Sequence, residues 1–219
     1  AASEDDEGTI RQLSQRLAAL AMGKDVPPAL AARVLEETLA VDPQNRSAAE
    51  GLLKLYSALP DPVERRDALT SLLERAASLP PEGRAEAHAR LARLARDAGD
   101  LRTAETSLDA ALALELSDEE RASYLAERAA VLHARRDVDA AVADLDEGLG
   151  LVPTHARALA LKAEIAYRAQ DWEAARATYA TLAGAPGAET AIAPALLAYR
   201  RAELAEMFGD EAEAETLYR

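Results

Sequence analysis

The sequence contains no cysteine, a single phenylalanine (Phe208), a single tryptophan (Trp172), three histidines and three lysines. Without cysteine there are no disulfides, thiolate metal sites or thiol nucleophiles; the compartment stays open, because oxidising and reducing surroundings both tolerate a chain without thiols, and the cytoplasm is the expected one. So few large aromatics exclude a thick core of the usual kind. The longest stretch with few charges, residues 177–199, is interrupted by Gly184, Pro186, Gly187, Glu189 and Pro194, so no membrane insertion is expected. The ten glycines are scattered singly and form no phosphate loop, nucleophile elbow or dinucleotide fingerprint. Positive charge is also scarce: 25 basic against 39 acidic side chains leave a net charge of −14, which repels nucleic acid and anionic lipid. The chain opens Ala1-Ala2-Ser3 and favours arginine over lysine 22 to 3, which together lead us to expect a trimmed piece of a larger bacterial protein from a GC-rich genome.

What the sequence has in quantity is alanine, 54 residues, and leucine, 33. One segment is written several times over. Gly99-Asp100-Leu101 is followed by Ala104 and Leu108, Arg136-Asp137-Val138 by Ala141 and Leu145, Gln170-Asp171-Trp172 by Ala175 and Tyr179, and Gly209-Asp210-Glu211 by Ala214 and Tyr218. The same alanine with a leucine four positions later stands at Ala68 with Leu72 and at Ala31 with Leu35. The six alanines lie 34 to 39 residues apart, a steady period that marks a solenoid.

Apolar residues recur at three- and four-residue steps with almost no alternation, so the class is all-α and each copy reads as two helices. Asp61-Pro62-Val63-Glu64 supplies an N-cap, a first-turn proline and a reaching carboxylate, while Ser47 with Glu50 and Ser117 with Glu120 have capping-box spacing. Twelve helices are predicted, over 8–22, 27–41, 46–59, 62–78, 82–98, 101–115, 118–135, 138–150, 154–169, 172–183, 190–207 and 211–219. They group into repeats at 8–45, 46–80, 82–117, 118–153, 154–189 and an incomplete 190–219, after an acidic segment over 1–7 expected to be disordered. Ala92, Ala129, Ala163 and Ala202 each stand 12 residues before a second-helix alanine, so two small surfaces face each other and paired helices approach closely. Leu108, Leu145, Tyr179 and Tyr218 then fill the space between successive pairs. A pair of this size buries too little to fold alone.

The small residue of the first helix, the Gly-Asp-like turn, the second-helix alanine and the large residue four later resemble the tetratricopeptide repeat (TPR) family. The resemblance is strongest at Leu149-Gly150-Leu151-Val152-Pro153 and Gln170-Asp171-Trp172-Glu173-Ala174-Ala175, and runs from about residue 10 to the end. The first two copies depart from it at Pro27-Pro28 and Asp61-Pro62, and Arg128, Lys162 and Arg201 stand where the family usually places an apolar residue. The resemblance implies a right-handed α-α superhelix of about twelve antiparallel helices, whose first helices line a concave face that binds other proteins as extended peptides or short helices. On that geometry the inner stripe carries Arg93 and Arg96 with Ala89, then Ser123, Ala126 and His133, then Arg157, Glu164, Tyr167 and Arg168, and finally Tyr199 and Glu203. The arginines suit an acidic partner; the plainer reading is a row of solvated helix positions. Relatives that clamp chaperone tails resemble one another in using asparagine and lysine there, and the only asparagine here, Asn45, lies outside the stripe.

Neither a metal nor a cofactor is expected, since His88, His133 and His155 fall in three different repeats without a His-x-x-x-His or Glu-x-x-His pattern. His88 reads as packing and His155 as an exposed residue at a helix start. Carboxylate pairs such as Glu36-Glu37 and Glu203 with Glu206 sit on helix ends or solvated faces and lack the pocket that acid catalysis needs. The expectation is therefore a non-catalytic protein-interaction scaffold. The alternatives are a structural spacer or self-association module that stacks through its open last repeat, and the regulatory repeat segment of a multidomain enzyme.

Overall fold

In the computed structural model, the structure describes residues 4–23, 25–75 and 79–218. Among them there are thirteen helices and no strand: α1 (Glu4–Ala21), α2 (Pro28–Val41), α3 (Arg46–Ser57), α4 (Pro62–Arg75), α5 (Pro81–Asp97), α6 (Leu101–Leu112), α7 (Asp118–Ala134), α8 (Val138–Leu151), α9 (Ala156–Arg168), α10 (Trp172–Ala183), α11 (Ala188–Ala191), α12 (Pro194–Met207) and α13 (Glu211–Tyr218). The chain divides into two units, Ala1–Glu115 with α1 to α6 and Leu116–Arg219 with α7 to α13. Within each unit consecutive helices pack as hairpins, α1 with α2, α5 with α6, α7 with α8, α9 with α10 and α12 with α13, and each hairpin rests on the next through its neighbour's first helix.

Three features differ from the sequence reading. Helix α1 begins at Glu4, inside the acidic run expected to be disordered. A thirteenth helix, α11, splits off before α12, because Gly187 takes φ +78° and Pro194 can only open a helix, not continue one. The cap of α3 is Asn45, not Ser47: the Asn45 side chain accepts from the Ala48 amide at 2.9 Å, and Glu50 pairs instead with Arg46 at 2.7 Å. The capping box at Ser117 and Glu120 is present. Residues 76–78, expected to end the fourth helix, and residues 1–3 and 219 lie outside the described residues.

The repeated turn is one construction made four times. Gly99, Arg136, Gln170 and Gly209 all have positive φ, at 81°, 69°, 61° and 80°. The amide of the following aspartate then reaches back to a carbonyl five residues earlier, Asp100 to Ala95, Asp137 to Leu132, Asp171 to Ala166 and Asp210 to Ala205, at 2.8–3.0 Å. This is the Schellman ending of the first helix. In three of these turns the aspartate carboxylate starts the next helix, accepting from the amides of Thr103, Ala140 and Ala174. A two-residue Gly-Asp signal therefore closes one helix and opens another.

Alanine sets the helix spacing. Ala92, Ala129, Ala163 and Ala202 on first helices and Ala104, Ala141, Ala175 and Ala214 on second helices are all buried. Leu35, Leu52, Leu69 and Leu72 fill the first unit; Leu145, Tyr179, Leu182 and Leu204 fill the second. Close approach is sharpest at Gly51 of α3, where an added Cβ would lie 2.9 Å from Leu35 Cδ1 and 3.1 Å from Met22 Sδ. The three charged residues in place of apolar ones are each neutralised. Arg128 grips Asp144 through two hydrogen bonds of 2.8 and 2.7 Å, Lys162 meets Asp146, and Arg201 meets Glu213 at 3.0 Å.

Candidate functional site

The residues expected on the binding stripe meet different fates. Five of the nine come together in the second unit, where α9 and α12 present side chains at three- and four-residue spacing toward the same place. Tyr167 of α9 and Tyr199 of α12 each donate a hydroxyl hydrogen bond to Glu203, at 2.8 and 2.9 Å. Glu164 accepts from Arg168 Nε at 2.7 Å and from the hydroxyl of Tyr179, on α10, at 3.1 Å. At the centre lies Arg200, a residue absent from the sequence-derived stripe. Its guanidinium stacks on the Tyr167 ring, 3.9 Å from the centroid, and its nitrogens lie 3.4 Å from Glu203 and 3.8 Å from Glu164. Trp172 closes the cluster from below, edge-on to Tyr167 at 5.3 Å.

Two carboxylates, two guanidinium groups and three phenols make a nearly neutral, internally bonded surface. Burial and the carboxylates beside them push the Tyr179 and Tyr167 hydroxyls above the ordinary phenol range, so both remain donors. Burial works against the charge on Glu203, but hydrogen bonds from Tyr167, Tyr199 and Arg200 win and hold its carboxyl below the usual value. Tyr199 remains 47% exposed and Arg168 stays in water, so the cluster has an open side.

The other four residues stand apart from it. Arg93 and Arg96 belong to α5 in the first unit, where they lie 3.8 Å from Glu86 and 3.2 Å from Asp97. Arg157 is exposed at the start of α9, and the half-buried His133 has a buried Nδ1 without a hydrogen-bond partner. Among the described residues no hydrogen bond or ion pair joins these two to the cluster. Two stripe alanines, Ala89 and Ala126, are buried in helix packing and face no solvent.

His155 corrects a second expectation. It is half-buried and is the N-cap of α9: its Nδ1 accepts from the Ala158 amide at 3.3 Å, and its Nε2 meets Ser123 Oγ of α7 at 3.2 Å. Since Nδ1 accepts, the proton of the neutral ring sits on Nε2. Burial, aided by Arg157, lowers its affinity for a second proton, and burial with Arg84 does the same at His88. Ser123 is thereby spent on joining α7 to α9. Among the described residues no cluster of three histidines or carboxylates could hold a metal ion, and no helix is long and apolar enough to cross a membrane.

Helix pairs of one kind, stacked through alanine faces and joined by one repeated turn, define an α-helical repeat solenoid. Comparison with solved structures specifies its type. PilF of Pseudomonas aeruginosa superposes with a TM-score of 0.68 at 18% identity, over 96% of this chain and 89% of that one. BtubC from P. vanneervenii gives 0.67 at 16% identity, over 93% and 87%. A tetratricopeptide repeat protein from Parabacteroides merdae gives 0.61 at 17% identity, over 96% and 78%. The fold is the tetratricopeptide-repeat solenoid. No protein-family model and no curated protein sequence matches the chain.

Proposed function

We propose that the chain is a non-catalytic protein-interaction scaffold that holds a partner segment, an extended peptide or a short helix, on the face carried by its first helices. The observation that carries this reading is the cluster of Arg200, Tyr167, Tyr199, Glu164 and Glu203. Its side chains are already locked in place by their own hydrogen bonds, so a partner bears little of the ordering cost. Arginine and tyrosine in such a setting are the residue types that dominate binding energy. The arginines of this cluster and of α5 already face carboxylates of their own chain. A partner carrying both a carboxylate for Arg157 and a hydrogen-bonding backbone for the tyrosines fits this face better than a uniformly acidic one. Arg93 and Arg96 of α5 offer first-helix positions of their own in the first unit, as His133 of α7 does in the second.

A photo-crosslinking side chain at Tyr199, which lies on the open side, tests the assignment. A cross-linked partner that disappears when Arg200 is changed to Ala supports it; equal cross-linking with and without that change refutes it.

A specific observation favours self-association as a second reading. Ile10, Leu13, Leu17 and Leu20 of α1 follow 3-4-3 spacing and are 42–71% exposed, the seam of a helix that pairs with another helix. In the second unit Met207, Phe208 and Tyr218, at the ends of α12 and α13, are exposed. Light scattering decides: a stable monomer at high concentration, unchanged by Leu13→Gln with Leu17→Gln, removes this reading.

A further inference from the structure

The first unit holds an open cavity of about 620 Å³ bounded by α4, α5 and α6 and lined by residues other than those of the stripe proposed above. Leu73 of α4, Leu91 and Ala95 of α5, and Ala110 and Leu114 of α6 make its apolar walls. The same position can be followed through the repeats by counting from the first-helix alanines: Leu91 precedes Ala92 as Arg128 precedes Ala129, Lys162 precedes Ala163 and Arg201 precedes Ala202. Where α5 has Leu91 facing Leu73 of α4, α9 has Lys162 bonded to Asp146 of α8. Between α10, α12 and α13 the equivalent space shrinks to about 160 Å³ and is bridged by Arg176 and Arg201 to Glu213, and by Arg176 to Asp210. Among the described residues, ion pairs span this space in the second unit, whereas the α4–α5–α6 version has an unbridged apolar floor.

From this contrast we infer that the α4–α5–α6 groove is a docking site for an amphipathic α-helix of another protein, apolar on one face and acidic at its edge. Two observations fix the occupant. The three threonines that border the groove have already committed their hydroxyl hydrogens: Thr70 Oγ1 donates to the Arg66 carbonyl at 2.9 Å, Thr106 Oγ1 to the Arg102 carbonyl at 3.1 Å, and Thr103 Oγ1 to Asp100 at 2.6 Å, which leaves His88 and Ser107 as the small polar groups of the lining. The walls are helices whose own amides are internally bonded. An extended segment laid here would bury a row of backbone groups with only these two to pair them, whereas a helix brings its backbone already satisfied. The rim supplies the second observation. On a chain of net charge −14 it carries Arg66 and Arg84 against the single Glu74. Arg84 has no ion pair among the described residues, and Arg66 has only the exposed neighbour Asp67. Helix-in-groove docking combines these two demands, leucine-like anchors for the floor and a carboxylate for the arginines.

The test is a displayed library of 16-residue helix-forming peptides, apolar at i, i+3 and i+7 and varied elsewhere, selected on the full chain. The best clone is then used as a fluorescein-labelled probe in anisotropy titrations. The inference expects enrichment of Asp or Glu beside the apolar stripe. Leu73→Asp with Leu91→Lys, which installs the bridge found between α8 and α9, should weaken binding at least tenfold, and Arg84→Glu at least threefold. Ala95→Phe fills the floor with apolar atoms alone and should also weaken binding at least fivefold; its melting transition guards against loss of fold as the cause. Clones that bind all three variants as well as the parent overturn the inference. So does enrichment of proline-containing, non-helical sequences, or groove-dependent binding of a labelled dodecanoate with no groove-dependent peptide.

Discussion

The two units solve the same packing problem with different materials. In the first, leucines 35, 52, 69 and 72 meet across hairpins, and the groove between α4 and α6 is left apolar. In the second, one tyrosine reaches full burial at Tyr179, and charged residues bridge the positions where the first unit has Leu73 and Leu91. Backbone geometry differs as well: the first unit turns at Gly99, while the second turns at Gly209 but also forces Arg136 and Gln170 into the left-handed region. The comparison teaches that the TPR hairpin fixes the alanine contacts and the turn, while the space between second helices is free to be apolar or ionic. A closed ionic version serves stability; an open apolar version leaves room for something else.

The largest test removes the second unit's aromatic keystone. Tyr179 is fully buried and its hydroxyl is bonded to Glu164, so Tyr179→Ala should cost about 4 kcal/mol in urea denaturation. An effect under about 1 kcal/mol would show that the cluster at Arg200 does not depend on the core beneath it. Next comes the ionic bridge. The Asp144 side chain is 9% exposed, so Arg128→Ala strands a buried carboxylate and should cost about 3 kcal/mol. The double change Arg128→Met with Asp144→Leu, which makes this site resemble the first unit, should recover all but about 1 kcal/mol. If it does not, charge is required there and the two units are not interchangeable.

Much of this architecture could be read before the structure, because its signals are local. Gly or its substitute before aspartate, an alanine four residues on and a large residue four beyond that are sufficient to place four turns and their hairpins. Ala31, Ala104, Ala141, Ala175 and Ala214 are all buried as the period required, whereas Ala68 is only half-buried and its neighbour Leu69 takes the core position. The site was less legible. Helical spacing found Tyr199 and Glu203, yet passed over Arg200, although Glu203 three residues later shares its face. Nor does spacing reveal that Tyr167 bonds Glu203 or that Tyr179 bonds Glu164, because side chains on different helices find partners only once those helices are placed. His155 looked exposed for the same reason: its role as a cap depends on Ser123, 32 residues away in sequence.

A smaller effect should separate the turns of the two units. Arg136→Gly and Gln170→Gly relieve a side chain held at positive φ and should each stabilise by about 0.5–1 kcal/mol. Gly99→Ala should destabilise by about 1 kcal/mol, although its Cβ would meet nothing within 4 Å, so the cost is backbone alone. Opposite signs in paired denaturation curves would support the assignment, and equal signs would break it. The smallest effect is a pH slope shared by both units. Burial lowers the proton affinity of His88 and His155 below the ordinary 6.5, so the unfolded chain binds more protons as pH falls through that value. Stability should therefore decline on acidification from pH 7 toward the folded-state values. His88→Gln with His155→Asn should flatten the decline in Tm between pH 7 and 5.5.

The turn shared by Gly99, Arg136, Gln170 and Gly209 draws every one of its bonds from within five residues of chain. Each hairpin can thus begin to form without waiting for distant segments to meet, which gives the molecule several equivalent nucleation points and a low contact order. Folding should consequently be fast and able to start at any of the four turns, and damage to one should reroute the process rather than halt it.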